Sequence, residues 1–167
     1  MIKLEIRERI PDDAEKFCEF LSKLDNEAEY MLFEKGERNV STEVIRKNIE
    51  NIIANGDACY IALHENNIIG FIIAVREKFI RTGHVASIVV GILAEYCGKG
   101  IGYELFQQIF KWAEKNNVKR LELMVITENI RAVNLYKKSG FKIEGLREIS
   151  TLINGKYYDE YYMAKLL

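Results

Sequence analysis

Between Val85 and Glu128 the apolar period of the chain changes twice, and this limits the possible folds more than any other stretch. "HVASIVVGIL" has the β-branched density of a strand, and "YCGKGIG", Tyr96 to Gly102, follows it with three glycines at alternate positions. From Ile101 the apolar residues fall at Leu105, Phe106, Ile109, Phe110 and Ala113, a single helical stripe, before "KRLELMVITE" returns to strand. The expected central unit is strand, glycine loop, helix, strand.

The flanks supply more elements of both kinds. Ile2 to Ile10 alternates Ile2, Leu4 and Ile6 with Lys3, Glu5 and Arg7, the period of a half-buried strand. Pro11-Asp12-Asp13 then punctuates the chain and caps a helix whose stripe is Phe17, Phe20, Leu21 and Leu24. Asp25 to Asn39 is charged and irregular, dotted with Tyr30, Met31, Leu32 and Phe33, and reads as a covering loop or short helix. Ser41-Thr42-Glu43 opens a second helix, which Asn55-Gly56 ends. "ACYIALHENNIIGFIIAV" reads as two strands around Glu65-Asn66-Asn67, and its nearly continuous Ile and Val predicts that both sheet faces are covered. "NIRAVNLYKKSG" is a short helix stopped at Gly140, and the remaining residues form two strands around Asn154-Gly155. With no internal repeat and no linker, residues 1–167 read as one α/β domain.

Charge and cysteine usage exclude several classes. Lys and Arg total 24 against 25 Asp and Glu, with no run of one sign, so neither a nucleic-acid tail nor a polybasic membrane patch is present and a small partner is expected. The start lacks the apolar core of a signal peptide and no apolar run reaches a membrane span, which predicts a soluble, cytoplasmic protein. Cys18, Cys59 and Cys97 form no CxxC pair, and with only His64 and His84 besides, no metal site is expected. Oligomeric state is not legible, a homodimer being one of the options.

Glycines between a strand and a helix let backbone N–H groups converge on a phosphate while the helix dipole favours its charge. They serve equally as a tight turn in which glycine allows positive φ. A P-loop would need GxxxxGK with Ser or Thr next, and no such run exists. A dinucleotide fingerprint would need a small residue where Tyr103 stands, although an acid, Glu122, lies about 20 residues on.

"ILAEYCGKGIGYELF", followed by "NIRAVNLYKKSGFKIEG", resembles the two acetyl-CoA motifs of the GNAT N-acetyltransferase superfamily. Gly100 and Gly102 match the glycines of the first motif, whose Gln or Arg is replaced here by Cys97. Asn129, Ala132, Leu135, Tyr136, Gly140 and Phe141 match the second. The resemblance implies a mixed, mostly antiparallel twisted sheet flanked by helices, with a splayed central strand pair. It implies acetyl transfer from acetyl-CoA to a primary amine, on a small molecule or peptide, by direct attack in a ternary complex.

By the same resemblance Gly98, Lys99, Gly100, Ile101 and Gly102, with Cys97 before them, hold the coenzyme A pyrophosphate, and Val90 and Ile92 offer strand groups to the pantetheine arm. Gly91 between them reads either as a bulge or as close packing. Asn129 contacts the cofactor and Tyr136 returns a proton to the departing thiolate; seven residues apart, they are expected on one helix face. Residue chemistry alone makes Asn129 a helix N-cap and Tyr136 a core aromatic. For the base, Glu34, Glu128 and Asp159 are candidates and none is chosen; Tyr157, Tyr158, Tyr161 and Tyr162 line an acceptor pocket or simply alternate along a strand. Rival readings are an acyl-CoA sensor that has lost the chemistry, an acyl-carrying Cys97, and an interaction module whose glycine loop is only a turn.

Overall fold

The alternation of Leu4 and Ile6 with charged neighbours does make a strand, β1 (Leu4–Glu8), in the computed structural model, which describes residues 3–167. Ile2 of the expected strand lies outside the described residues. A 3-10 turn at Pro11–Asp13 leads into α1 (Ala14–Glu27), and α2 (Thr42–Ala54) starts where the Ser41 hydroxyl accepts the Val44 N–H at 3.3 Å. β2 (Ala58–His64) and β3 (Asn67–Arg76) follow, then β4 (Val85–Ile92), α3 (Ile101–Lys115), β5 (Arg120–Ile126), α4 (Ile130–Lys138), β6 (Lys142–Ile153) and β7 (Lys156–Leu166). Two-residue turns join the hairpins: Glu65 and Asn66 have φ of 48° and 64°, and Asn154 and Gly155 have 49° and 77°.

The seven strands form one open, mostly antiparallel sheet in the order β1-β2-β3-β4-β5-β7-β6. β4 and β5 run parallel, paired at Val85–Arg120, Ala86–Leu121 and Ser87–Glu122. By contact density the chain divides into two units: residues 3–75 with Val89–Phe110, and Arg76–Ile88 with Lys111–Leu167.

In the first unit the predicted stripe of α1 is the core: Phe17, Phe20, Leu21 and Leu24 are buried with Ile45 and Ile49 of α2 and Ile61, Ile68 and Phe71 of the sheet. Phe17 and Phe20 set their rings nearly perpendicular to that of Phe71, with centroids 5.4 and 5.8 Å away. β2 and β3 are almost wholly buried, as their apolar density predicts, whereas β4 alternates and leaves Val89 exposed. Close packing accounts for Gly91 of β4. A Cβ at Gly91 would sit 2.7 Å from the Phe71 ring and 2.8 Å from Leu24 Cδ2, so α1 rests directly on this strand.

Asp25 continues the Leu21, Leu24 stripe and is buried, its carboxylate meeting Arg38 Nε at 2.6 Å and Nη2 at 3.1 Å. Arg38 also lies over the Phe33 ring at 4.2 Å. The stretch from Ala28 to Val40 contains turns and bends only, so it is a covering loop rather than a helix, and it reaches the core through Met31 and Val40.

Asp13 does not cap α1 with its side chain, contrary to expectation. Its buried carboxylate turns back to accept the Ile10 N–H at 2.9 Å and two Arg7 hydrogen bonds at 2.8 Å each. Burial pushes this carboxyl up, but the Arg7 bonds, the Ile10 amide and the charges of Arg7 and Arg9 outweigh it and hold the group below its ordinary value. A depressed carboxyl stabilises the fold above its unfolded pKa, about 3.9, and loses that contribution as pH falls through the folded value. Asp13→Asn is therefore expected to cost about 1 to 3 kcal/mol at neutral pH, with the gap to wild type narrowing as pH falls below about 3.9. Thermal melts over that range check it; a gap that persists in acid would assign Asp13 a role other than its charge.

In the second unit β7 pairs antiparallel with β5 on one side and β6 on the other, Tyr162 lying opposite both Met124 and Gly145. The β6–β7 register shifts between Arg147 and Thr151, where Ile149 takes a φ of 50° and its N–H donates to Asp159 Oδ1 at 2.8 Å.

Candidate active site

The glycine loop grows out of β4 through one bond to β3 and two within its own turn. Leu93 N–H donates to Ile69 O at 3.0 Å, and a 3-10 turn at Ala94–Tyr96 is closed by Tyr96 N to Leu93 O at 2.9 Å and Cys97 N to Ala94 O at 3.2 Å. Gly98 and Gly100 then take φ of 77° and 84°, which side chains rarely adopt, and a Cβ built on either meets nothing within 4 Å. The Glu104 N–H donates to Gly100 O at 3.1 Å, so Gly100 is the last residue before the first turn of α3. The amides of Ile101 and Gly102 stand at the helix head, where no helical carbonyl is in register to accept them. Positive φ explains the glycines as a turn, and open space before a helix N-terminus is also what an anion seat requires; one geometry is compatible with both readings.

Cys97 is engaged by its own turn. Its amide is spent on Ala94, and its thiol turns inward to the carbonyls of Leu93 at 3.6 Å and Ile92 at 3.7 Å. The side chain that replaces the Gln or Arg therefore serves the turn. Lys99 is exposed with its Nζ 5.0 Å over the Tyr96 ring, and that ring in turn meets His64 edge-on. Val90 and Ile92 on β4 are half-buried on either side of the packed Gly91.

Asn129 and Tyr136 lie in the second unit, at the cap and in the body of α4. Asn129 is the N-cap of α4, with φ −77° and ψ 66° outside the helical region, and its Oδ1 accepts the Ala132 N–H at 3.3 Å. Tyr136 is buried on the helix proper, its ring centroid 6.2 Å from that of Phe141. Burial pushes the Tyr136 phenol well above its ordinary value, so it stays protonated through the neutral range.

The carboxylates of Glu128 and Asp159 have structural partners, while Glu34 is tied through its backbone. Glu128 pairs with Lys156 Nζ at 2.9 Å, Asp159 holds the Ile149 amide, and the backbone N–H of Glu34 donates to the Glu37 carboxylate. Tyr157 and Tyr162 are exposed while Tyr158 and Tyr161 are half-buried, which is partial strand alternation. Among the free cysteines, Cys59 is buried and its thiol is pushed up to about 11 by desolvation, against the pull of Arg9.

Two contacts escaped sequence reasoning. Asp25, four residues after Leu21 on the same helix face, carried a readable signal: an acid on a buried face needs a partner. Glu27, whose Oε1 accepts the Ala94 N–H at 2.6 Å, carried none, since it sits on the exposed side of α1.

The sequence profile of the Acetyltransferase (GNAT) family matches residues 18–141, spanning both motifs, and the chain belongs to that family. It is 30% identical over 107 residues to an L-amino acid N-acetyltransferase of Escherichia coli, an alignment covering 64% of this chain and 66% of that one. The chain thus spans no more than about two thirds of the length of the curated relatives it matches. The solved GNAT acetyltransferase of Streptococcus pneumoniae superposes with a TM-score of 0.94 at 28% identity, over 99% of this chain and 100% of that one. A phosphinothricin acetyltransferase from Sinorhizobium meliloti, solved in complex with acetyl-CoA, has the same fold at a TM-score of 0.86 and 18% identity, over 99% of this chain and 89% of that one. No helix among the described residues is long and apolar enough to cross a membrane.

Proposed function

We propose that this protein is an N-acetyltransferase that uses acetyl-CoA to acetylate a primary amine by direct attack in a ternary complex. The observation that carries the reading is the loop at Gly98 and Gly100, whose positive-φ glycines leave open space ahead of the α3 N-terminus. The amides from Gly98 to Gly102 bind the pyrophosphate, with Lys99 adding charge once it leaves the Tyr96 ring. Acetyl-CoA fits that seat and supplies, as thioester, an acetyl group activated for transfer to an amine. The backbone at Val90 and Ile92 orients the pantetheine arm through strand-type hydrogen bonds. Asn129 keeps the start of α4 in place through its cap, and Tyr136 holds at its Oη the proton that the departing sulfur takes up.

Cys97 is not needed as an acyl carrier, because its thiol faces the carbonyls of Ile92 and Leu93. The acceptor is a small-molecule or peptide amine, a class that includes the amino acids for which the E. coli relative is named.

Acetyl-CoA binds only the native state on this reading, so it is expected to raise the melting temperature, with about 2.7 kcal/mol of stabilisation at a hundredfold excess over its dissociation constant. Thiol release from acetyl-CoA in the presence of a panel of primary amines tests the transfer itself. Absence of any shift at millimolar acetyl-CoA would sink the reading.

A further inference from the structure

The last turn of α1 reaches the approach to the glycine loop at three successive points. Leu24 lies against Gly91, Lys23 Nζ meets the Glu95 carboxylate at 2.9 Å, and Glu27 Oε1 accepts the Ala94 N–H at 2.6 Å. The three contacts differ in weight. The Lys23–Glu95 pair is exposed on both sides and holds little. Leu24 fixes the strand but precedes the turn. Glu27 acts on the turn itself: Ala94 is its first residue, and a first-turn amide has no partner inside its own helix. A carboxylate there makes a charge-assisted bond, the stronger kind.

Downstream of Ala94 the backbone bonds Tyr96 N to Leu93 O and Cys97 N to Ala94 O shape the chain before Gly98, beside the Cys97 thiol and the Tyr96 ring. Ala94 takes part in both of its local networks, as donor to Glu27 and as acceptor from Cys97. The position of the Ala94 peptide therefore sets where Cys97 ends and where the Gly98 amide begins.

We propose that Glu27 is a positioning residue for the glycine loop, holding the Ala94–Tyr96 turn so that the amides from Gly98 onward are aimed before the ligand arrives. This rests on the reading that Gly98 to Gly102 hold the coenzyme A pyrophosphate. A loop ordered in advance loses less freedom on binding, so the benefit falls on affinity for the pyrophosphate-bearing part of the ligand. Glu27 does not touch the ligand. Its negative charge works against a pyrophosphate, so its value must lie in the acceptor oxygen it offers Ala94, and glutamine offers the same oxygen without the charge.

The test compares coenzyme A with pantetheine, which lacks the pyrophosphate, by titration calorimetry on wild type, Glu27→Ala and Glu27→Gln. Glu27→Ala is expected to weaken coenzyme A about five- to tenfold, the scale of one partly exposed charge-assisted bond, and to leave pantetheine unchanged. Glu27→Gln is expected to bind coenzyme A as well as wild type or better. Equal weakening of both ligands would make Glu27 a general support of the fold and overturn the proposal. So would unchanged coenzyme A affinity in Glu27→Ala, or a Glu27→Gln variant as weak as Glu27→Ala. If wild type itself binds coenzyme A no better than pantetheine, the pyrophosphate reading of the loop has failed, and the proposal with it.

Discussion

Gly100→Asp is expected to abolish the thermal protection that acetyl-CoA gives, with affinity falling by at least about a hundredfold, since like charges brought together at a binding surface cost several kcal/mol. The fold itself should tolerate the change. A Cβ at Gly100 meets nothing within 4 Å, and aspartate is among the few residues that enter the left-handed region readily. The φ of 84° therefore costs the variant modestly, and the large effect falls on the ligand. Gly100→Asn separates charge from shape: it has the same size and the same tolerance of positive φ, so it is expected to retain most of the binding that Gly100→Asp loses. Melting curves of the three proteins with and without acetyl-CoA check this. Intact affinity in Gly100→Asp would leave the loop a turn and nothing more.

The second large effect is expected at Tyr136. Tyr136→Phe keeps the ring that packs near Phe141 and removes only the hydroxyl, so kcat is expected to fall about ten- to a thousandfold while coenzyme A binding changes little. Burial keeps the phenol protonated, which a proton donor requires, but it also makes the proton harder to release. The balance closes only if the sulfur that receives the proton is equally short of water, so that desolvation raises the basicity of both partners together. Single-turnover rates at saturating acetyl-CoA, set beside titrations of coenzyme A, measure the two quantities separately. Lost binding with an undiminished rate would return Tyr136 to the core as a packing residue.

Much of this was legible because periodicity reports burial. The Phe17, Phe20, Leu21, Leu24 stripe and the Leu105, Phe106, Ile109, Phe110, Ala113 stripe predicted two helices and their inward faces, and all of these residues are buried except Phe110, which is half-buried. The Asn154-Gly155 pair predicted a hairpin that forms with both residues at positive φ. What periodicity cannot report is where a polar side chain spends its hydrogen bonds. Asp13 could cap the helix after it or turn back on Arg7, and only the approach of β1 decides. Asn129 could cap α4 or contact a ligand, and its bond to the Ala132 N–H belongs to the helix start, which no apolar period reports. Cys97 sits where the family motif has a long side chain, but the preceding carbonyls draw its thiol inward. Gly91 looked ambiguous because its meaning lies in Leu24 and Phe71, which no local pattern ties to it.

The buried pair between Asp25 and Arg38 gives the covering segment an unusual mechanical character. From Ala28 to Val40 the chain has no helix or strand to resist bending, so its order depends on few attachments, with Arg38 near its far end. Releasing that arginine strands the Asp25 carboxylate in a buried position, which costs far more than bending a loop. The order of the segment's far end is thus tied to one desolvated charge, so that losing the Arg38 guanidinium would cost the buried carboxylate its partner and the segment its anchor at the same time.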